Sequence, residues 1–173
     1  MRVKEAIHSR KSIRKYKNEP ITQEIVDELL DAARLAPSAK NVQSHRYFII
    51  QEQNTRNKLA EQGAFKHLFV YEAPLIIICC ADPSQYPPSV DLDASPKNYA
   101  LIDLSIAASF LVLRATELGL GTVFVAQINR DKIKKILDIP QNYIVPFVIP
   151  IGYPAEDPIP KPRKNIGEII IKK

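Results

Sequence analysis

The sequence is poor in the residues that usually mark metal, disulfide and dinucleotide sites. It has two cysteines, three histidines and five glycines among 173 residues. Cys79 and Cys80 are adjacent inside an apolar run, so on a strand they point to opposite faces and cannot bridge each other. We find no metal-ligand spacing, no catalytic triad and no Gly-x-Gly-x-x-Gly fingerprint, and we expect no metal ion. A preference for NADH or NADPH therefore cannot be read from a dinucleotide motif.

Long apolar segments are also missing. No uninterrupted apolar run approaches the roughly 20 residues that a membrane helix requires, and the N-terminal residues lack the apolar region of a secretory signal. The hydrophobic fraction of 46% and the charged fraction of 25% are typical of an ordinary globular protein. Buried free thiols fit a reducing compartment. We therefore expect a cytoplasmic protein without a membrane partner.

Positive charge, by contrast, is abundant and unevenly placed. The net charge is +5, and residues 1–17 and 161–173 together hold half of the 24 lysines and arginines. Two interpretations remain open from charge alone. One anion could be bound from both ends of the chain, or a basic surface could attract nucleic acid.

Helix signals divide the chain. Thr22 is a predicted N-cap for an amphipathic helix that runs to about residue 36, and Ser95 followed by Pro96 predicts the start of the longest helix, from Asn98 to Leu118. The long helix is apolar almost all round, which indicates that a second subunit covers part of it. Gly119 is expected to end it. Shorter helices are predicted over 55–62, 65–71 and 131–137.

Strand signals lie between these helices. The run from Pro74 to Ala81 is continuously apolar and predicts a strand buried on both faces. Pro146 and Pro150 place the predicted strand 143–152 at an edge or make it irregular. Other strands are predicted over 46–51, 123–126 and 166–171, and the proline-bearing loop 82–95 is predicted to be a mobile lid. Helices and strands alternate without strict regularity, which favours a central sheet with helices on both faces.

Four short motifs carry the chemical information. The segment from His8 to Tyr16 places Arg10, Lys11, Ser12 and Arg14 close together, and guanidinium and hydroxyl groups suit a phosphate ester. The second motif is Ala-Pro-Ser-Ala-Lys-Asn-Val-Gln over 36–43, and the third is Gly-Leu-Gly-Thr over 119–122. The fourth is Ile-Gly-Tyr-Pro over 151–154, followed by Pro-Arg-Lys over 162–164.

In this order and over residues 8–164, the motifs resemble those of the nitroreductase family of FMN-dependent oxidoreductases. The resemblance implies a three-layer α/β (α+β) flavoreductase fold, with one domain over 1–173 and residues 153–173 as a C-terminal arm. It also implies an intertwined homodimer with two FMN sites at the interface. The sequence departs from the family pattern at Gln43-Ser44-His45 and after Gly121, where the substrate pocket is shaped.

The resemblance also implies roles for particular residues. Arg10, Ser12 and Arg163 would hold the FMN phosphate, with Lys11 beside them. Arg14 would lie at the N1/C2=O edge of the ring and stabilise the reduced flavin. The remaining contacts would be Pro37, Ser38 and Asn41 to the flavin of the other subunit, and Phe124, Val125 and Ala126 along the ring.

The implied activity is hydride transfer from NADH or NADPH through flavin N5 to a small electron-poor acceptor, of nitroaromatic or quinone type. No side chain of the protein acts as a catalytic group in this scheme. Flavin reduction, flavin fragmentation or reductive dehalogenation on the same fold are alternatives, as is a flavin protein without turnover. A basic nucleic-acid-binding module is the alternative from another class. It lacks interleaved aromatics and a helix-turn-helix signature, so we expect no specific nucleic-acid partner. His45 is a candidate for lining the pocket.

Overall fold

The structure, a computed structural model, describes residues 2–87 and 95–172. Within these ranges the α-helices are α1 (Val3–Ser9), α2 (Gln23–Arg34), α3 (Gln53–Glu61), α4 (Phe69–Glu72), α5 (Pro96–Glu117), α6 (Arg130–Ile136) and α7 (Ile166–Ile169). The strands are β1 (His45–Ile50), β2 (Leu75–Ala81), β3 (Gly121–Thr122) and β4 (Ile144–Gly152). Single 3₁₀ turns cover Ala39–Asn41 and Pro83–Gln85.

The four strands form one antiparallel sheet in the order β1-β2-β4-β3. Every residue of β2 is buried, which confirms the prediction of a strand covered on both faces. Cys79 belongs to the core between the sheet and helices α2 and α5, and Cys80 to the core on the opposite face, which contains residues of α3 and α6. Alternate side chains of β2 therefore belong to two different cores, one on each face of the sheet. The result is the predicted three-layer arrangement with helices on both faces.

Helix α5 is the central element of one layer. Ser95 caps it by accepting a hydrogen bond from the amide of Asn98, and Pro96 occupies its first turn, as predicted. Gly119 follows its C-terminus with φ of +77°, a conformation that favours glycine. By length and composition α5 is apolar enough to cross a membrane. Here its buried side instead packs on α2 and on the sheet as a core helix.

Local capping also explains helices α2 and α6. Thr22 accepts from the amide of Ile25 at the start of α2, as predicted, and Asn129 accepts from the amide of Lys132 at the start of α6. Helix α2 ends at Arg34, two residues before the predicted limit. Helix α3 begins at Gln53 rather than Thr55, and α4 covers only the end of the predicted segment 65–71.

Of the two alternatives predicted for β4, an edge position or an irregular strand, the structure shows the irregular strand. β4 lies between β2 and β3, and its register with β2 shifts between Cys79 and Ala81, opposite Pro146. Pro150 faces the gap between the Thr122–Ile151 pair and the Val125–Val148 bridge. A proline there interrupts no ladder bond, because no carbonyl of the β3 side is paired with it to accept from an amide at this position.

The strands predicted over 123–126 and 166–171 are wrong. Residues 123–126 leave the sheet after Thr122 and return only for the bridge between Val125 and Val148. Residues 166–169 form helix α7, because Asn165 and Glu168 make a reciprocal capping box that favours a helical turn. The predicted lid over 82–95 falls partly on residues 88–94, which lie outside the described residues.

Candidate functional site

The basic N-terminal segment is attached to the end of the sheet next to β3. Ser12 forms a parallel bridge with Thr122, and the amide of Ile13 donates to the Thr122 carbonyl at 3.0 Å. The Ile13 side chain is buried against Gly121, where an added Cβ would lie 2.7 Å from its atoms. The absence of a side chain at Gly121 therefore allows the segment to approach the sheet this closely.

The same segment pairs on its other side with the chain that follows β4. Lys17 donates its amide to the Tyr153 carbonyl at 2.8 Å, and Ala155 donates to the Lys15 carbonyl at 2.9 Å. The Glu156 carboxylate accepts from the amides of Arg14 (2.5 Å) and Lys15 (3.2 Å). Residues 12–17 are consequently fixed between β3 and residues 153–156, so the first and fourth motifs are neighbours in space.

Tyr16 stabilises this arrangement through its hydroxyl group and its ring. Its hydroxyl donates to the Ile13 carbonyl at 2.6 Å and approaches the Pro150 carbonyl at 3.3 Å. Burial raises the pKa of Tyr16 well above its ordinary value, so the phenol remains a donor. Its ring also contacts the position where a Cβ on Gly152 would stand, at 3.0 Å. Tyr16 is thus a structural residue of the segment.

The cations of the segment differ in how far they are neutralised. Lys11 pairs with Asp157 at 2.5 Å. Arg10 is half-buried and Arg14 exposed, and neither has an ion pair with any of residues 2–87 or 95–172. Arg10 and Arg14 stand two residues before and after Ser12, and Arg14 Nη1 donates to the Ser12 carbonyl at 3.4 Å. Two guanidinium groups and a hydroxyl are donors suited to a phosphate dianion. The residues present therefore fit the group that the sequence predicted.

Arg163 is the one predicted phosphate ligand that this arrangement does not include. It is exposed in the extended chain between β4 and α7. Among the described residues, no hydrogen bond or ion pair joins Arg163 to the segment 10–17. Its role remains a prediction.

The second motif, residues 36–43, forms a tight loop that follows the C-terminus of α2. Lys40, Asn41 and Gln43 have φ values of 52°, 57° and 52°, which non-glycine residues adopt only at a cost in energy. The Ser38 hydroxyl accepts from the amide of Gln43 at 3.0 Å. Pro37 and Asn41 are exposed and Ser38 half-buried. The loop therefore presents the three predicted flavin contacts in a strained, defined conformation.

Beneath this loop lies a polar group that the sequence predictions missed. Asp103 of α5, which is only 3% exposed, accepts hydrogen bonds from the Ala39 amide at 2.9 Å and from the Tyr86 hydroxyl. One sequence signal could have revealed it, since Asp103 is the only charged residue between Lys97 and Arg114 of this apolar helix. A charge at such a position requires partners from elsewhere in the fold.

The predicted ring contacts after β3 divide into two kinds. Val125 is buried and exchanges two main-chain hydrogen bonds with Val148, at 3.0 and 2.9 Å, so its amide and carbonyl are already used. Phe124 is 43% exposed and packs edge-on against Phe147. Ala126 is exposed. Phe124 and Ala126 are therefore the members of this trio that are accessible to a bound molecule.

His45 stands at the start of β1 and is half-buried. Burial and then the nearby Arg46 lower its pKa, so the neutral ring is favoured near pH 7. Its Nδ1 atom is buried and has no hydrogen-bond partner among the described residues. Within residues 2–87 and 95–172 no cluster of three His, Cys, Asp or Glu side chains could hold a metal ion.

Asp82 organises the start of the loop that follows β2. Burial alone would raise its pKa, but hydrogen bonds from Ser84 and Gln85 outweigh burial and lower it.

We therefore expect Asp82→Asn to cost about 1–2 kcal/mol of the free energy of unfolding at pH 7. The gap should narrow as the pH falls below the ordinary aspartate pKa of about 4 and through the lowered pKa of Asp82, because the wild-type carboxylate then takes up a proton. Urea unfolding at several pH values measures this, and parallel curves for the two proteins would contradict it.

Comparison with known proteins agrees with this geometry. The family model described as "Nitroreductase family" matches residues 7–64 and 61–153. A Methanothermobacter thermautotrophicus protein, named for NADH dehydrogenase or NAD(P)H nitroreductase activity, is 35% identical over 163 residues, which cover 91% of this chain and 80% of that protein.

Two solved structures extend the comparison to the fold. A nitroreductase family protein from Clostridium difficile is 32% identical with a TM-score of 0.85, covering 99% of this chain and 98% of that one. The NADPH:FMN oxidoreductase of Vibrio harveyi, solved with NAD+, is 27% identical with a TM-score of 0.87, covering 98% of this chain and 76% of that one. The sequence match over residues 7–153 and the fold both lead to one conclusion: this chain belongs to the nitroreductase family.

Proposed function

We propose that this protein is an NAD(P)H-dependent FMN oxidoreductase that reduces small electron-poor acceptors, of nitroaromatic or quinone type. The observation that carries the proposal is the segment of Arg10, Ser12 and Arg14, which is attached to β3 and whose two guanidinium groups have no ion pair with any of residues 2–87 or 95–172. Relatives named as NAD(P)H nitroreductase and NADPH:FMN oxidoreductase support the donor and the cofactor. The acceptor class rests on the family resemblance.

When bound, FMN would supply the redox chemistry between the nicotinamide donor and the acceptor. The protein would supply binding and electrostatics. Arg10, Ser12 and Arg163 would bind the phosphate, and Arg14 would offer a positive charge to the pyrimidine edge of the ring. Lys11 contributes less, because Asp157 already neutralises it. Phe124 and Ala126 provide accessible surface beside the ring.

We further propose that the protein is a homodimer. A groove of about 430 Å³ between α1, α2 and α5 has a mainly apolar lining that includes Val3, Leu35 and Phe110. In the C-terminal segment, Ile159 is 90% and Ile171 87% exposed. Apolar surface of this extent is typical of an interface. Pro37, Ser38 and Asn41 would then reach the FMN of the other subunit.

The dimer proposal predicts that Phe110→Glu yields monomers. Phe110 is 42% exposed on α5, and a charge there would have to be buried without a partner in the interface. We expect the mass measured by light scattering to fall by about half at micromolar concentration. Ala60→Glu on the exposed side of α3 is the control and should leave the mass unchanged. Equal masses for all three proteins would contradict the proposal.

Steady-state kinetics tests the proposed activity. The FMN-loaded protein should oxidise NADH or NADPH faster when a quinone or nitroaromatic is added, with the parallel double-reciprocal lines of a ping-pong mechanism. Donor oxidation that no acceptor accelerates would reject the acceptor class.

A gel shift with random duplex DNA separates this function from a nucleic-acid module, for which specific, saturable binding would be required.

The proposed location is the cytoplasm. Cys79 and Cys80 are buried free thiols, one on each face of β2, and burial raises the pKa of both. Such thiols fit a reducing compartment, where they remain unmodified.

A further inference from the structure

Three segments that are distant in sequence meet at one buried carboxylate. We call the group formed by Asp103, Tyr86, Ser44 and the Ala39 amide the Asp103 cluster. Asp103, Tyr86 and Ser44 are 3%, 7% and 0% exposed. They come from α5, from the segment after β2 and from the residue before β1, while Ala39 belongs to the loop 37–43.

Two hydrogen bonds of the cluster converge on a single atom, and two more connect its neighbours. Asp103 Oδ2 accepts from the Ala39 amide at 2.9 Å and from the Tyr86 hydroxyl. The Tyr86 hydroxyl also lies 3.2 Å from Ser44 Oγ, and the Ser44 carbonyl accepts from the Asp82 amide at 2.9 Å. One carboxylate therefore connects the loop 37–43 to the segment 82–86 and to the rigid core helix.

This carboxylate depends on those donors. No cation of the described residues lies within ion-pair distance of Asp103. A buried charge without hydrogen bonds or a counterion is strongly unfavourable. Burial, and then the hydrogen bond to Asp103, raises the pKa of Tyr86 to about 12, so the hydroxyl remains a donor at neutral pH. The Ala39 amide and the Tyr86 hydroxyl are therefore the donors that stabilise the buried Asp103 carboxylate.

The loop in turn depends on Asp103. Directly after Ala39 come Lys40 and Asn41 with positive φ, and Gln43 follows with the same sign. Non-glycine residues persist in this conformation only where surrounding contacts impose it. Within the loop, Ser38 supplies one such contact through Gln43. The Asp103 bond to the Ala39 amide ties the loop to α5, in addition to a bond from Arg46 to the Gln43 carbonyl at 2.9 Å and the packing of Ala39 and Val42 on the core.

We propose that Asp103 is a positioning residue, which holds the loop 37–43 through the Ala39 amide in the conformation that contacts FMN. The FMN half of this inference rests on the proposed function. Asp103 does not touch the cofactor in this account and acts only through Pro37, Ser38 and Asn41.

The test combines amide hydrogen exchange of the loop with fluorescence titration of FMN. Asp103→Leu removes the acceptor at similar size, whereas Asp103→Asn keeps an oxygen that can accept from Ala39. We expect Asp103→Leu to lower the protection of the Ala39 amide about tenfold or more and to raise the Kd for FMN by about tenfold. Asp103→Asn should restore most of both. Tyr86→Phe, a milder change, should shift both in the same direction by a smaller factor.

Val112→Ala is the control for general destabilisation, since Val112 is buried in α5 and is not a member of the Asp103 cluster. It should lower the melting temperature without changing Ala39 exchange or FMN affinity. Wild-type exchange and affinity in Asp103→Leu would overturn the inference, as would equal changes in Val112→Ala. If Asp103→Leu does not fold, unchanged exchange and affinity in Tyr86→Phe would overturn it.

Failure of the proposed function gives a different result. A wild-type protein that binds no FMN would reject that function and the FMN half of this inference. The exchange data, which need no cofactor, would still decide whether Asp103 holds the loop.

Discussion

Arg10→Ala weakens FMN binding by about 30-fold, the largest effect expected from any single cation in the chain. A charge-assisted hydrogen bond to a phosphate contributes about 2 kcal/mol, which corresponds to this factor. Arg10 is half-buried at the end of α1, and no acidic side chain of the described residues neutralises it. Its removal therefore costs ligand affinity without breaking an internal ion pair.

Fluorescence titration of the apoprotein with FMN measures the change. Arg34→Ala is the matched control, because Arg34 is an exposed arginine that pairs with Asp31 on the surface of α2. It should leave the Kd for FMN unchanged. An Arg10 variant that binds FMN as tightly as the control would remove Arg10 from the phosphate site.

Gly121→Ala is expected to lower the free energy of unfolding by about 2 kcal/mol and to weaken FMN binding as well. The new Cβ would lie 2.7 Å from Cβ, Cγ1 and Cγ2 of Ile13, and these atoms are close to the main chain and cannot swing away. Overpacking of this kind typically costs 1–3 kcal/mol. Relief requires Ile13 to move, and Ile13 carries the segment of Ser12 and Arg14 with it.

Gly167→Ala provides the comparison for this substitution. Nothing lies within 4 Å of the position where a Cβ would be added, and Gly167 is within helix α7. Its stability should remain the same or rise by up to about 1 kcal/mol. Chemical denaturation of both variants measures the difference. If Gly121→Ala unfolds at the same denaturant concentration as the wild type, the close approach at Ile13 has no energetic role.

Local signals explain why much of the fold could be predicted. Helices α2, α5 and α6 begin after residues whose side chains accept a hydrogen bond from a backbone amide, and residues of this type can be identified in the sequence. β2 was predictable because a continuous apolar run has no stable position except between two layers. The motif around Arg10 and Ser12 is likewise local, so its cations could be identified without a structure.

Two features could not be predicted because long-range contacts decide them. Pro150 is found in an inner strand because its neighbour leaves the ladder at that point, which no pattern within β4 reveals. The wrong strand over 166–171 is a different kind of error, because the capping box of Asn165 and Glu168 that makes residues 166–169 helical is local. Asp103 acquires its role from Ala39 and Tyr86, which lie 64 and 17 residues away in sequence. Only the fold brings such partners together.

The most direct test of the proposed function is a visible spectrum of the protein loaded with FMN, recorded before and after anaerobic addition of NADH or NADPH. We predict a bound-flavin spectrum that bleaches on addition and returns when a quinone or nitroaromatic is supplied. A protein that stays colourless after incubation with FMN, or a bound flavin that neither nucleotide bleaches, would contradict the account.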